Sequence, residues 1–588
     1  MKKRGWVIHP APAEPEVGAE ILPPRRAWYV LAGLAAVALG FGLFSFYNEE
    51  HYGAIVTGMR NPGYGGASWG LYIVFVVFFI GVSFAGITVA ALARLFDIAV
   101  LRPVTRIAEL LTLVALIAGA SCVLADLGRP DLGLQNLPRY ANPSSPFFGT
   151  FTLVVSGYLF SSLVYFFLAG RADAAHVAQH TKGLLRWFHL AWASGYKPEP
   201  EHRQRHTRVS FWLSLAILPM LVTAHSTLGF VFGIQGGRPG WFGALQAPAF
   251  VVLAGVSGTG MVILLTLTFR WLYRMHDKIP DASIRWLGNF LWVLALVYLY
   301  FMIVEELTAT YAAPDADREL AHQIVAGRFA PLFWTTVGGL LLTFLIPFLL
   351  YVNKRTSVGW VAFAAICANV AAICKRFLIV VPSQTHGALV KLEPGEYVPT
   401  WVELGVVTGL VGLVFTIVLV FGRVFPLVPA PHGHHDEGPS IGAPRWRKLA
   451  TVACALTAVS LIVFGLTDAF RLWSGGEVDN RIPFSPVIFA SGVMLLFVSA
   501  VVYEVLPEKK VVSWEDRKHA NRAVAAFPWQ EQMQKDAERA LGGGAFRKLG
   551  RLAELAEHAI RDGDVGRALD RLRELQKLAA SSSVEPSK

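Results

Sequence analysis

The chain has 588 residues, of which 54% are hydrophobic, and its 52 Lys and Arg residues outnumber 41 Asp and Glu residues to give a net charge of +11. Apolar stretches of about 20 residues recur along it, which excludes a typical soluble protein and a transmembrane β-barrel with its short alternating strands. The excess cations indicate membrane topology rather than a nucleic-acid surface, because no basic patch carries interleaved aromatic residues. The sequence therefore predicts an all-α integral membrane protein.

Residues 1–26 precede the first apolar stretch and are predicted to be a short cytoplasmic tail. They combine prolines and acids, and no small-residue cleavage site follows, so they do not resemble a signal peptide. About twelve transmembrane helices are predicted after this tail. The predicted spans are 27–47, 69–94, 104–126, 147–170, 209–234, 245–273, 286–311, 331–351, 358–380, 399–421, 447–468 and 484–506.

The loops between these spans predict the orientation. Lys and Arg are concentrated in the loops after the even-numbered spans, such as "ARLFDIAVLRPVTR" and residues 171–208. Because cytoplasmic loops carry the excess of positive residues, both termini are predicted to be cytoplasmic. Residues 422–446 are then a cytoplasmic loop and residues 447–506 hold two extra helices. Residues 507–588 are predicted to form a cytoplasmic tail of short amphipathic helices with a disordered end.

Two similar stretches predict an internal repeat. "GVSFAGITVAAL" begins at Gly81 and "GVSGTGMVILL" begins at Gly255, and both run in the same predicted direction. Small residues at this spacing allow helices to approach closely. We therefore predict two four-helix bundles in tandem, at about residues 69–234 and 245–380, within a transmembrane domain at 27–421. The alternative is that such motifs are simply common in membrane helices.

The spacing of cysteines and histidines argues against a bound metal or haem. The four cysteines lie in apolar stretches, and none forms a CxxC or CxxCH motif. "HGHHDE" at 432–437 could bind metal, but a polar loop is the favoured interpretation. His225 is the one histidine placed well inside an apolar stretch, so a haem with two histidine ligands is disfavoured. We expect no haem, metal or iron–sulfur cluster in this chain.

Ionisable and aromatic residues are expected to gather in the outer, non-cytoplasmic half of the membrane. A charge at bilayer depth costs about 2.5–3.5 kcal/mol on insertion scales, so such residues are functional candidates. A one-sided set predicts a ligand pocket open to the outer face. Each also has a structural alternative, such as an aromatic belt, a loop cap or a Glu–Arg pair, and Lys375 is expected to snorkel to the interface. The set comprises Trp69, Tyr72, Asp126, Arg129, His225, Glu305, Glu306, Lys375, Arg376 and Glu403.

His225 has the chemistry that a quinone head group requires. An imidazole titrates near neutral pH, and a nearby carboxylate can relay its proton. We predict that His225 and Asp126 are the catalytic residues and that Arg129 fixes the loop or contacts a partner. The alternative is that His225 is a hydrogen-bonded structural residue.

With these residues assembled, the chain resembles the NrfD/polysulfide-reductase membrane-subunit family, and within it the larger quinol-oxidising subunits of alternative complex III. The resemblance covers roughly residues 25–420. It is carried by "GASWGLYIVFVVFFIGVSFAG", "ADLGRP", "SPFFGTF", "AHSTLGFVFGIQGGRPGWFGALQAPAF", "EELTATYA" and "RFLIVVPSQ...YVPTWVELG", in that order.

The resemblance implies a site for menaquinone or ubiquinone in the first bundle, near the outer face of a bacterial inner membrane. It implies a periplasmic ferredoxin-like iron–sulfur subunit as partner, with molybdopterin or multihaem cytochrome subunits possible in the same complex. The implied quinone-binding residues are Trp69, Tyr72, Asp126, Arg129 and His225. The proton-path candidates are Glu305, Glu306, Arg376 and Glu403.

The chain also departs from those relatives, and two other functions stay open. An acid expected in the fourth span is replaced by Phe147-Phe148-Gly149-Thr150, and no acid follows His225 in "HSTLGF". A secondary transporter or proton translocator fits the parallel repeat, although transporter sites usually lie near the midplane between broken helices. A passive membrane anchor is the third hypothesis. The predicted function is a quinone-reactive subunit of a respiratory oxidoreductase complex.

Overall fold

The computed structural model describes most of the predicted membrane domain. The described residues are 20–59, 67–140, 157–196, 200–311, 313–386, 395–429, 445–467, 485–505, 570 and 574. Within these ranges all regular secondary structure is helical, and eleven helices are long and apolar enough to cross a membrane. The prediction of an all-α integral membrane protein with about twelve spans is confirmed. The tract at 432–437 and the first part of the fourth predicted span lie outside the described residues.

The helices follow the predicted order along the chain. They are α1 (Ala27–Tyr52), α2 (Leu71–Leu95), α3 (Thr105–Asp126), α4 (Pro130–Tyr140), α5 (Phe160–His180), α6 (Gly183–Ala193), α7 (Pro200–Gly233), α8 (Gln246–Leu272), α9 (Asp281–Tyr311), α10 (Asp315–Val325), α11 (Ala330–Val352), α12 (Val358–Val380), α13 (Pro382–Thr385), α14 (Trp401–Val424), α15 (Arg445–Gly465) and α16 (Ser485–Val505). The chain divides into two compact units, residues 1–506 and 507–588, and the second is described only at Asp570 and Glu574, which are both helical.

Two rings of four helices form the centre of the first unit. Helices α2, α3, α5 and α7 pack in sequence around one ring, and α8, α9, α11 and α12 pack around the other. Helix α2 joins the rings by packing on α8 and α12, so it is buried on nearly all sides. The helices of the two rings overlap predicted spans 2–5 and 6–9, and the predicted domain bounds stay a prediction.

The two repeated stretches pack against each other at this junction. A Cβ atom added to Gly258 of α8 would come within 2.7 Å of the Ala85 Cβ and of the Val82 carbonyl oxygen on α2. Only a glycine therefore lets the two helices approach this closely. Small residues of the two similar stretches thus allow α2 and α8 to pack closely.

The remaining long helices flank the bundles as two pairs. Helices α1 and α14 pack together, α14 also packs on α3, and a Cβ on Gly42 of α1 would lie 2.2 Å from the Gly409 Cα of α14. Helices α15 and α16 form a hairpin, and its α16 packs on α5 and α7. The α15–α16 hairpin accounts for the two extra predicted spans.

Helix α5 continues past the predicted end of its span at residue 170. It reaches His180, so the beginning of the predicted cytoplasmic loop is helical. Arg171 and Asp173, which the sequence assigns to that loop, are 2% and 0% exposed. Their charges end the apolar stretch in the sequence, whereas the folded chain buries them against partners on other helices.

Candidate functional site

The first part of the predicted site lies around Trp69, just before α2 begins. We call this region the α2 N-terminal end. The Trp69 amide donates to the Gln384 Oε1 at 2.9 Å, and the Gln384 Nε2 donates back to the Trp69 carbonyl at 2.9 Å. The Trp69 ring stacks on Trp241, with centroids 5.7 Å apart, and meets the edge of Phe232 at 5.9 Å. The Trp241 Nε1 donates to the Ile379 carbonyl at 2.6 Å. Trp69 is therefore held in an aromatic cluster between the two bundles.

Two buried tyrosine–glutamate pairs lie at the same end. The Tyr72 hydroxyl donates to the Glu49 Oε2 at 2.6 Å, and the Tyr397 hydroxyl donates to the Glu403 Oε1 at 2.5 Å. Glu49 is 2% exposed and Glu403 is 0% exposed. The Tyr397 oxygen also accepts the Leu71 amide at 2.7 Å, so the two pairs meet at the first turn of α2.

The Glu403 carboxylate is additionally held by backbone amides. Its Oε2 accepts hydrogen bonds from Gly58 at 2.8 Å and from Thr400 at 3.0 Å, the latter as part of a capping box at the start of α14. Burial, followed by the neighbouring Glu403 carboxylate, raises the pKa of Tyr397 in the loop before α14. The phenol therefore stays protonated and remains the donor to Glu403.

Asp126 brings a third carboxylate to this end of the molecule. It is the last residue of α3, is 8% exposed, and lies within electrostatic range of Glu49 and Tyr397. Among the described residues, Glu49 and Glu403 have no Lys, Arg or His within ion-pair distance. We call Glu49, Tyr72, Asp126, Tyr397 and Glu403 the acid cluster. Sequence reasoning missed Glu49, because the first predicted span ends at residue 47.

Arg129 lies apart from the acid cluster. Its side chain is 65% exposed, and its Nε lies 3.2 Å from the Asp131 carboxylate. This geometry suits the predicted loop or partner contact better than direct contact with a buried ligand.

His225 lies deeper in the first bundle. It is 1% exposed, with Nδ1 at 2.9 Å from the Leu221 carbonyl on its own helix and Nε2 at 2.9 Å from the Ile80 carbonyl on α2. The rings of Phe84 and Tyr158 pack against the His225 imidazole at centroid distances of 4.9 and 5.7 Å. A neutral imidazole has one N–H and can donate to only one of these carbonyls, whereas an imidazolium can donate to both.

His225 and the acid cluster occupy two levels of the same bundle. Ile80, the partner of His225, follows Tyr72 by eight residues on α2, which corresponds to about 12 Å along the helix. The described hydrogen bonds and ring contacts of His225 do not include Asp126, Trp69 or Tyr72. The shared quinone site therefore stays a prediction.

The second bundle contains a partly buried ion pair that differs from the one expected. The Lys375 Nζ lies 2.7 Å from the Glu305 Oε2, and Lys375 is 5% exposed, so it pairs inside the bundle rather than snorkelling to the interface. Arg376 is 1% exposed and packs over the Phe250 ring at 4.4 Å. Its Nη2 lies 3.5 Å from the Phe250 carbonyl. Glu306, the other acid on α9, is partly buried.

A second buried charged group lies at the opposite end of the first bundle, so the expectation of a one-sided distribution is wrong. Arg106 contacts Glu109 at 2.8 Å and Asp173 at 2.6 Å, and Arg94 contacts Glu109 at 2.5 Å. We call these four residues the ion-pair network. Arg94 also bonds the Tyr165 hydroxyl. Sequence reasoning places Asp173 in a loop and overlooks Arg94, although the i,i+3 spacing of Arg106 and Glu109 is a usable signal.

A further buried contact attaches the α15–α16 hairpin to the first bundle. The Glu504 Oε1 of α16 lies 2.8 Å from the Arg171 Nη1 and 2.9 Å from the His206 Nδ1. The Arg171 Nε also donates to the Ala193 carbonyl at 3.1 Å. The extra hairpin is thereby joined to α5, α6 and α7.

Among the residues that the structure describes, no three His, Cys, Asp or Glu side chains form a group suited to a metal ion. The Glu49 and Glu403 carboxylates are instead bonded to tyrosine hydroxyls and backbone amides. The described contacts of these two carboxylates are thus hydrogen bonds from hydroxyls and amides.

Comparison with known proteins gives a consistent result. The family model for polysulphide reductase, NrfD, matches residues 56–388. The chain is 26% identical over 434 residues to a selenate reductase subunit of Mesobacillus selenatarsenatis, a match covering 71% of this chain and 98% of that protein. It is 28% identical to a putative dimethyl sulfoxide reductase membrane subunit of Halobacterium salinarum, covering 68% of this chain and 91% of that one. A third relative is the Hdr-like menaquinol oxidoreductase integral membrane subunit of Archaeoglobus fulgidus, at 25% identity covering 68% and 94% respectively.

Proposed function

Because the chain belongs to the NrfD polysulphide reductase family, we propose that it is the quinone-reactive membrane subunit of a respiratory oxidoreductase complex. It is a multi-pass membrane subunit of a respiratory oxidoreductase. Its substrate is menaquinone or ubiquinone, and it exchanges electrons with a periplasmic iron–sulfur subunit. A molybdopterin or multihaem cytochrome protein completes the assembly in the bacterial inner membrane, with both termini of this chain in the cytoplasm.

The observation that carries the proposal is the acid cluster. Glu49 and Glu403 are buried at a helix end without a cationic partner among the described residues, and Asp126 lies close to them. Buried carboxylates without cations are costly, and in membrane proteins they accompany proton or substrate pathways. Quinol oxidation needs such groups, because each quinol that becomes quinone releases two protons with its two electrons.

We assign a role to each residue according to its level in the bundle. His225 accepts the first proton from the quinol hydroxyl at one ring nitrogen, which turns from its flanking carbonyl toward the quinol, while the other nitrogen keeps its N–H on the remaining carbonyl. Asp126 and Glu49 receive protons at the shallower level and pass them to the outer face. The two electrons leave for the iron–sulfur cluster of the partner, and the exposed Arg129, three residues beyond Asp126, contacts that partner.

The aromatic cluster supplies the flat surface that a quinone ring requires. Trp69 and Trp241 are stacked, and Tyr72 lies one turn beyond Trp69 with its hydroxyl on Glu49. Glu403 belongs to the same proton route to the outer face, because it accepts a hydrogen bond from Tyr397. In the second bundle, Glu305, Glu306 and Arg376 provide a separate proton path.

Quinone binding to the purified complex tests the proposal. Titration of a menaquinone analogue by fluorescence quenching is expected to show at least tenfold weaker binding for His225→Ala with Asp126→Asn. His189→Ala is the matched control, because His189 on α6 is equally buried and bonds the Val424 carbonyl of α14, away from the proposed site. Unchanged affinity in the double variant would remove the assignment.

Proton translocation is the second candidate function. It is favoured by the ion-pair network, which gives the first bundle buried ionisable residues at both ends. Quinol-driven acidification of a medium by proteoliposomes holding the whole complex, beyond the two protons released per quinol, would support it. Acidification limited to those two protons would exclude it.

A further inference from the structure

A cationic cleft opens at the end of the second bundle opposite to the acid cluster. It is a shallow surface cleft between the first turns of α9, the end of α11 and the start of α12. Its floor is apolar, formed by Pro347, Leu350 and Val361. The polar residues that line it are Arg285, Asn289, Tyr351, Arg355, Thr356 and Ser357.

The positive charge at the cleft is not neutralised by the described protein. Arg355 and the neighbouring Lys354 are exposed, and among the described residues neither they nor Arg285 has a carboxylate within ion-pair distance. The polar partner described for the Arg285 side chain is the Thr356 hydroxyl, at 3.5 Å. By contrast, Arg270 on the neighbouring α8 pairs with Asp281 at 2.6 Å. The cleft therefore attracts an anion.

Aromatic residues indicate the depth of the cleft in the membrane. Tyr351 and Trp360 are 59% and 57% exposed on the helices that border it, and Trp286, which directly follows Arg285, stacks on Phe290. Exposed Trp and Tyr at helix ends lie at the level of the lipid head groups. The two arginines thus lie where phospholipid phosphates are found.

The helix below the cleft presents an apolar surface that continues toward the membrane interior. On α11, Leu345 and Leu349 are 41% and 52% exposed, and both lie within the last two turns before the end of the helix that borders the cleft. A lipid acyl chain can lie along this surface, whereas a free phosphate ion would gain nothing from it.

We propose that this cleft binds the phosphate head group of an anionic phospholipid. Arg285 and Arg355 pair with the phosphate oxygens, for which guanidinium geometry is suited. Basic pockets between membrane helices commonly hold such head groups. The bound lipid joins α9, α11 and α12 and so stabilises the second bundle. This site is independent of the proposed redox function.

Native mass spectrometry of the purified complex tests the proposal by lipid titration. Phosphatidylglycerol is expected to bind at least tenfold more tightly than phosphatidylcholine. Arg285→Gln with Arg355→Gln is expected to abolish that preference, while Lys182→Gln with Arg186→Gln, which removes the same charge from positions on and beside α6, is expected to preserve it. Arg285→Lys with Arg355→Lys keeps the charge and is expected to bind within a few-fold of the native protein.

Three outcomes would overturn the proposal. One is equal lipid preference in the native protein and the Gln double variant. Another is equal loss in the control pair, which would indicate a general charge effect. The third is displacement of the lipid by millimolar inorganic phosphate, which would indicate a free-anion site rather than a lipid site.

Discussion

The Nε2 atom of His225 lies 2.9 Å from the carbonyl oxygen of Ile80, and this contact joins α7 to α2 in the interior of the first bundle. The other ring nitrogen lies 2.9 Å from the Leu221 carbonyl. Both partners are acceptors, so a neutral ring donates to one of them while its other nitrogen faces an oxygen that offers no proton.

Glu49 and Glu50 allow a comparison of two adjacent acids with opposite environments. Glu49 is buried and bonds Tyr72, whereas Glu50 is exposed. If the acid cluster carries protons from quinol, Glu49→Gln should reduce steady-state quinol oxidation by about 100-fold, the scale of one acid–base group. Glu50→Gln should leave the rate unchanged. Equal rates in the two variants would exclude Glu49 from the path.

The ion-pair network should contribute strongly to the stability of the first bundle. Arg106→Gln leaves Glu109 and Asp173 buried without their shared cation, and removing one partner of a buried pair costs about 3–5 kcal/mol. Arg102→Gln is the control, because its pair with Asp97 is exposed and contributes about 0–1 kcal/mol. Thermal denaturation in detergent measures both. A similar small loss in the two variants would show that the network is not a stabilising element.

The junction between the bundles should be sensitive to a single methyl group. A Cβ at Gly258 would lie 2.7 Å from two atoms of α2, so Gly258→Ala is expected to destabilise the protein by about 1–3 kcal/mol. Gly338→Ala on α11 is the control, since nothing lies within 4 Å of its added Cβ, and it should be neutral or stabilising by up to about 1 kcal/mol. The midpoint of thermal unfolding distinguishes them, and a stable Gly258→Ala variant would contradict the close packing.

His189 should make stability fall in mild acid. Burial lowers the pKa of His189, whose Nε2 donates to the Val424 carbonyl at 2.9 Å while Nδ1 is buried without a partner among the described residues. Its contribution is complete above the unfolded pKa of about 6.5 and is lost as pH falls toward the lower folded value. His189→Gln should therefore lose less stability than the native protein between neutral pH and about pH 5. The exposed His180→Gln variant should follow the native curve, and identical curves for all three would contradict this account.

The helices are predictable from the sequence because long apolar stretches report membrane burial directly. The family resemblance is confirmed by the match over residues 56–388. The errors concern charged residues, whose partners are distant in the chain. Arg171 and Asp173 look like loop residues because their charges end an apolar stretch. Their partners, Glu504 and Arg106, lie on other helices, so the sequence around them gives no sign of the pairing.

The candidate site is less predictable than the fold. Glu403 and Tyr72 stand out by their positions at helix ends, but hydropathy gives no sign of the Glu49 carboxylate just beyond the first predicted span. The partners of His225 are backbone carbonyls, which carry no sequence signal at all. From the sequence, Lys375 is expected to reach the interface because it lies near a helix end. Its pairing with Glu305 depends on how α9 and α12 pack, which the sequence does not show.

The most direct test of the central claim is to locate the bound quinone by photo-cross-linking. The purified complex is irradiated with an azido-menaquinone analogue, and the labelled peptides are identified by mass spectrometry with and without excess menaquinone. The account predicts labels near Trp69 and Tyr72, at the start of α2, and between His225 and Trp241, all removed by the competitor. Labels confined to α9, α11 or α12, or labels that menaquinone does not remove, would contradict it.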